Sequence, residues 1–110
     1  MSGRASRDRG KRAELAVARW LTEHGWPAKT TRGTSGAQQG DDLVTSTGLS
    51  WEVKDHAKLE LAAWVDQAQR QAGGKPAVVI HKRRGVASPS GWYVTMTGAD
   101  LLRLLGGDHA

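Results

Sequence analysis

Gly40-Asp41-Asp42-Leu43-Val44, a Ser46-Thr47-Gly48 turn, and Leu49-Ser50-Trp51-Glu52-Val53-Lys54 make up the stretch on which the fold turns. Two apolar-flanked runs on either side of a glycine-containing turn predict an antiparallel hairpin. Side chains alternate faces along a strand, so Glu52 and Lys54 share a face, and the neighbouring strand can bring Asp42 beside them. Two carboxylates and one ammonium then converge at one spot.

Such a gathering is costly as mere structure, because like charges repel and a desolvated carboxylate costs several kcal/mol, by order of magnitude, unless a cation compensates. A divalent cation resolves the conflict. Oxygen ligands suit Mg²⁺ or Mn²⁺, which takes one or two carboxylates and keeps room for water and a phosphate. On this reading Asp42 and Glu52 are the metal ligands, and Lys54 stands beside the water that attacks a phosphodiester, stabilising charge that grows on phosphorus. The plain alternative is a surface hairpin with an ordinary Glu-Val-Lys alternation, since short motifs recur by chance.

Composition bears on the choice. A chain of 110 residues is expected to form one domain. Its 16 Lys and Arg against 11 Asp and Glu give a net charge of +5 and an isoelectric point near 10.1, which favours a polyanionic partner, nucleic acid above all. No apolar run approaches the roughly 20 residues of a membrane span and no signal-peptide pattern is seen, so an intracellular, cytoplasmic protein without a membrane partner is expected. The chain has no cysteine, so any metal is held by oxygen or imidazole.

The basic residues are grouped. Arg4, Arg7, Arg9, Lys11 and Arg12 lie among Gly and Ser near the N-terminus, and residues 1–10 are expected to be a flexible, phosphate-gripping arm. Lys29 and Arg32 precede a glycine-rich loop, and Lys82, Arg83 and Arg84 follow an apolar run. Any one group could be a solvated face. Three groups around a carboxylate site suit a phosphodiester track.

Periodicity supplies the remaining elements. Ala13, Val17, Trp20 and Leu21 recur at helical spacing, predicting a first helix from about Lys11 to His24. A short strand is expected within residues 26–32, and residues 33–40 form a glycine-rich loop. Leu59 to Ala72 predicts a second helix stopped by Gly73-Gly74. Pro76-Ala77-Val78-Val79-Ile80-His81 reads as a central strand buried on both faces, and residues 92–96 as a last strand. Thr97 with Asp100 starts a closing helix that runs through Leu105 to Gly106-Gly107. The expected class is α/β, in the order α-β-β-β-α-β-β-α, with a mixed central sheet of about five strands and a parallel crossover through the second helix. Residues 11–106 form the single domain and 107–110 a tail.

Two polar residues border apolar helix faces. Glu14 lies along the edge of the first helix's stripe, where it either pairs with Lys11 or Arg12 or reaches toward the sheet. Gln67 lies near the apolar face of the second helix, as a site residue or as plain surface.

An inward helix Glu (Glu14), a Gly/Ser-bearing loop, Asp42-Leu43-Val44, a Glu52-Val53-Lys54 strand and a helix Gln (Gln67) resemble the PD-(D/E)XK nuclease superfamily, and within it the small archaeal and phage Holliday junction resolvases. The similarity covers roughly residues 11 to 105. It implies a restriction-endonuclease-like core, Mg²⁺ or Mn²⁺ as cofactor, Asp42 and Glu52 as ligands, Lys54 as the water-positioning residue, Glu14 as an accessory acid, Ser35 as a loop hydroxyl at the catalytic site, and Gln67 as a helix partner. It further implies a homodimer making paired nicks in four-way DNA junctions. Asp41 stands where the superfamily's name-giving Pro would be. Asp42 is the stronger ligand candidate of the two, because Leu43-Val44 enters the core strand directly after it.

Other functions remain open at this level: a non-catalytic nucleic-acid-binding module on the same fold, or a nuclease for another branched or damaged DNA. Trp64 and Trp92 suit either a core or a subunit interface. His56 follows the motif strand and suits proton transfer or simple surface polarity. His24, His81 and His109 lack ligand spacing, so no zinc site is expected.

Overall fold

The computed structural model describes residues 2–31 and 42–106. The elements are α1 (Ser2–Glu23), β1 (Ala28–Thr30), β2 (Leu43–Thr45), β3 (Ser50–Lys54), α2 (Leu61–Gln71), β4 (Ala77–His81), a 3-10 turn at Pro89–Gly91, β5 (Tyr93–Thr95) and α3 (Gly98–Leu105). Their order is the one the sequence predicts, and the class is α/β.

The strands do not form one sheet. β1 pairs with β2 antiparallel, and β3, β4 and β5 form a separate three-stranded sheet with β4 in the middle. β3 runs parallel to β4, joined through α2, and β5 runs antiparallel to it. The expected β2–β3 hairpin is therefore only partly made. The reason lies in the turn, where hydroxyls satisfy one another and the local backbone. Thr45 Oγ1 lies 2.6 Å from Thr47 Oγ1, the Thr47 N–H donates to Thr45 Oγ1 at 3.1 Å, and the Trp51 indole N–H donates to Thr47 Oγ1 at 2.8 Å. Side-chain bonds of this kind compete with a ladder. Gly48, at φ +80°, supplies the left-handed residue that the turn needs.

β4 is buried along its whole length, with Val79 and Ile80 at 0% exposure. Its two faces separate two apolar clusters. Val78 and Ile80 join Trp51, Val53 and Trp92 beneath Ala13, Val17 and Leu21 of α1. Ala77 and Val79 pack beneath Trp64 and Ala68 of α2 and Ala72 at its C-terminal cap. Burying a Val, Leu or Ile side chain contributes roughly 1.5–3 kcal/mol, and such residues lie on both faces, so the sheet is held from both sides. Trp64 and Trp92 are core residues.

α1 begins at Ser2, so the basic segment expected as a flexible arm continues the helix. Its apolar contacts begin at Ala13, and the turns before it project beyond the core with Arg4 and Arg7 exposed. No described helix is long and apolar enough to cross a membrane.

Candidate functional site

Asp42 joins the two sheets. Its N–H donates to the Trp51 carbonyl at 3.0 Å, and its own carbonyl accepts the Thr31 N–H at 3.2 Å and the Thr31 hydroxyl at 3.2 Å. Its Oδ2 accepts the Val53 N–H at 2.8 Å. The side chain thus occupies the place of a missing ladder carbonyl and is fixed beside β3.

On β3, Glu52 is buried at 5% exposure and Lys54 is half-buried. The Lys54 ammonium lies 3.2 Å from Glu52 Oε2 and donates to Gln67 Oε1 at 3.0 Å. Strand alternation brings Glu52 and Lys54 together on one face as expected, and of the two readings left open for Gln67 the structure shows the one in which the middle of α2 brings it to Lys54. Glu14 is only 3% exposed, which rules out a solvated helix margin, and it lines the same cavity of about 260 Å³ as Asp42, Glu52 and Lys54. Ser6, Arg7 and Gly10 line it from earlier turns of α1, on the helix face that carries Glu14.

Burial pushes the Asp42 carboxyl from its ordinary 3.8 up to about 7, and the charges of Glu52 and Glu14 add to the rise. The Val53 N–H and the Lys54 ammonium oppose it. The cavity is thus a place where negative charge is in excess. Among the described residues no three His, Asp or Glu side chains form a group able to hold a metal ion as they stand. Mg²⁺ and Mn²⁺ need fewer, since one or two carboxylates with water and phosphate complete their shell. The Asp42 and Glu52 oxygens, with Glu14 near, fit such an ion in donor type and charge.

A second cavity, of about 500 Å³, adjoins the first. Asp55 and His56 line both, and Arg9, Lys82 and Arg84 give the second its positive charge. The Lys82 N–H donates to the Lys54 carbonyl at 2.9 Å, so the basic loop is an extension of the parallel β3–β4 ladder and its position is tied to that of Lys54. Arg83 turns aside. Its guanidinium carbon lies 4.6 Å from the Tyr93 ring centroid, and it donates to the Gly91 carbonyl at 3.2 Å.

The remaining basic candidates divide. Arg4, Lys11 and Arg12 are exposed on α1 but line neither cavity, and Lys29 lines a separate groove between α1 and β1 with Leu15 and Arg19. Arg32, Ser35 and Asp41 lie outside the described residues. His81 is buried, accepts from or donates to Thr95 Oγ1 at 2.8 Å, and is not part of the basic face. Asp55 was not legible as a site residue, although its place directly after Lys54 was the available signal. His56 stands at the junction of the two cavities, with its ring 5.7 Å from that of Trp64.

No family model, no curated protein and no solved structure matches this chain.

Proposed function

We propose that this chain is a Mg²⁺- or Mn²⁺-dependent endonuclease of PD-(D/E)XK type that hydrolyses phosphodiester bonds in branched DNA, with the four-way Holliday junction as first candidate substrate and a homodimer as the working form. The observation that carries the reading is the enclosure of Glu14, Asp42, Glu52 and Lys54 in one cavity that opens beside a groove bearing Arg9, Lys82 and Arg84. A pure binding module gains nothing from buried acids next to a phosphate track. They weaken polyanion binding and cost desolvation.

When bound, the cation supplies Lewis-acid stabilisation of the charge that accumulates on the phosphoryl group. Asp42 and Glu52 hold it, and Glu14 adds negative potential from α1. Lys54 orients the attacking water and stabilises the pentacovalent charge, its ammonium kept in place by Gln67 and Glu52. The basic groove holds the neighbouring phosphates and sets the register of the strand, without reading bases. His56, which lines both cavities, is the candidate on this reading to pass a proton to the leaving oxygen.

The test is cleavage of a synthetic four-way junction, a flap and an intact duplex with Mg²⁺ titrated from zero. Metal-dependent cutting that Glu52→Gln abolishes while binding persists supports the reading. A wild-type protein that binds DNA and never cuts it overturns the enzyme in favour of a binder, and equal cutting of flap and junction reassigns the substrate.

A further inference from the structure

The loop after β4 sends its three cations to two sides. Lys82 and Arg84 line the basic groove, whereas Arg83 between them lies over β5, its guanidinium carbon 4.6 Å from the Tyr93 ring centroid and its Nη1 donating to the Gly91 carbonyl at 3.2 Å. Tyr93 is still 57% exposed, more than any tryptophan of the described residues. A cation on an exposed ring adds little to stability, and fixing an arginine costs rotamer freedom. Beside residues that suit phosphate, the same pair is a flat surface on which a nucleobase can lie. The sheet sets where that surface stands. Lys54 is the register partner of His81, and His81 of Tyr93, so the three share one row and one face across β3, β4 and β5. α2 covers the inner part of the row, through Gln67 on Lys54 and the Trp64 ring 5.7 Å from that of His81. Tyr93 stands on the edge strand, its ring 6.2 Å from that of His81 and at 73° to it. Two strand spacings, roughly 10 Å, separate its backbone from that of Lys54, which is the rise of about three stacked nucleotides in one strand.

We infer that Tyr93 and Arg83 form a stacking platform for one unpaired base of a DNA strand whose phosphates lie in the groove of Lys82 and Arg84. The inference rests on the reading of this groove as a DNA track, and it narrows the substrate of the proposed enzyme. A base paired inside a duplex presents only its edges, so the platform selects DNA in which a nucleotide is free of its partner, as where a strand leaves the double helix at a branch or flap. Drawing a base out of matched duplex costs free energy that an already unpaired base does not. Charge chooses this occupant, since three consecutive cations surround the ring and suit a polyanion that also carries flat aromatic groups. Stacking conveys no sequence, because every base has a π-face, so the strand is positioned and not read. Phosphate grip and base platform lie on the two sides of one loop, and the Lys82 N–H ties that loop to the Lys54 carbonyl at 2.9 Å. A base seated on Tyr93 therefore fixes its strand relative to the carboxylate cavity.

Fluorescence anisotropy on the full chain in chelator, where no strand is cut, separates base from phosphate with two probes of equal length: a labelled oligothymidine, and an abasic strand with the same phosphates and no bases. The wild type is expected to bind oligothymidine at least about tenfold more tightly than the abasic strand. Tyr93→Ala is expected to bring that ratio close to one by weakening the oligothymidine complex, and Tyr93→Phe to keep it. Arg83→Lys preserves the charge and removes the plane, so the salt dependence should hold while the ratio falls. Val94→Ala, exposed on the opposite face of β5, should change neither. A 2-aminopurine in the strand adds a signature, with emission quenched on binding to the wild type and not to Tyr93→Ala. Equal affinity of the wild type for both probes overturns the platform, as does a Tyr93→Ala protein with the full ratio. Should Tyr93→Ala fail to fold, Arg83→Lys decides, and a ratio that it leaves intact overturns the platform. Restoring Mg²⁺ keeps the two readings apart: a chain that shows the base preference and cuts nothing supports the platform and sinks the nuclease, whereas junction cutting without any base preference sinks the platform alone.

Discussion

The ammonium of Lys54 is held at 3.0 Å by Gln67 Oε1 and at 3.2 Å by Glu52 Oε2, so a residue of α2 sets the direction in which the β3 lysine points. Gln67→Ala is expected to slow single-turnover cleavage by about 10-fold, because the ammonium loses one of two restraints. Lys54→Ala removes the charge itself and is expected to cost about 100- to 1,000-fold. DNA affinity should change little in either. A Gln67→Ala protein that cuts at the wild-type rate would show that Glu52 alone suffices to place the lysine.

Two carboxylates give opposite pH dependences to the stability of the metal-free protein. Asp42 is raised from 3.8 to about 7, so its folded-state contribution is complete below its unfolded value and is lost as pH rises through about 7. Melting temperature should therefore fall between about pH 4 and pH 8 in chelator, by an amount on the order of 2–4 kcal/mol in stability. Asp42→Asn should flatten that slope, and Mg²⁺ at pH 8 should restore the lost stability in the wild type. Thermal melts across pH, with and without metal, measure all three.

Asp100 behaves in the reverse sense. The Ala77 N–H, foremost, and the bonds from Gln69 and Arg103 hold its carboxyl below the ordinary range. Its contribution is present above the unfolded value and is lost only as pH falls through the lowered one. Asp100→Ala leaves the Ala77 N–H without its acceptor and is expected to cost about 2–3 kcal/mol by chemical denaturation. Metal-dependent cutting at low temperature should persist, since Asp100 touches no site residue.

The basic residues are separable by salt dependence. Arg9→Ala, Lys82→Ala and Arg84→Ala are each expected to lower the slope of log affinity against log salt by about 1. Lys29→Ala, in a different groove, should leave it unchanged. Fluorescence anisotropy with a labelled junction over a salt series makes the comparison.

What was legible in the sequence follows from what is local. The apolar run from Ala77 to His81 is buried at every position because neither face of a parallel central strand meets water, and Thr97 caps α3 by accepting the Asp100 N–H as its spacing predicts. Glu52 and Lys54 met because alternation along one strand determines their directions, whereas Gln67 was left between site and surface until the packing of α2 on β3 turned it to the ammonium. Glu14 needed the fold, since only the packing of α1 across β3 decides whether a residue at the margin of a stripe is wet or enclosed. The division into two sheets depended on hydroxyls at Thr45 and Thr47 that alternation does not weigh. The inward turn of Asp100 was hidden for a similar reason: its partner Ala77 lies far back in the chain, and no periodicity announces a backbone amide in need of an acceptor.

One amide proton inherits a diagnostic role from this architecture. The Val53 N–H is received by the side chain of Asp42 and not by a strand, so its exchange with solvent and its resonance frequency follow the occupation of a single carboxylate oxygen. A cation that draws Asp42 toward itself must loosen that bond. Nuclear magnetic resonance would then register arrival of the ion in the peptide backbone, in an intact molecule, before any strand of substrate has been added.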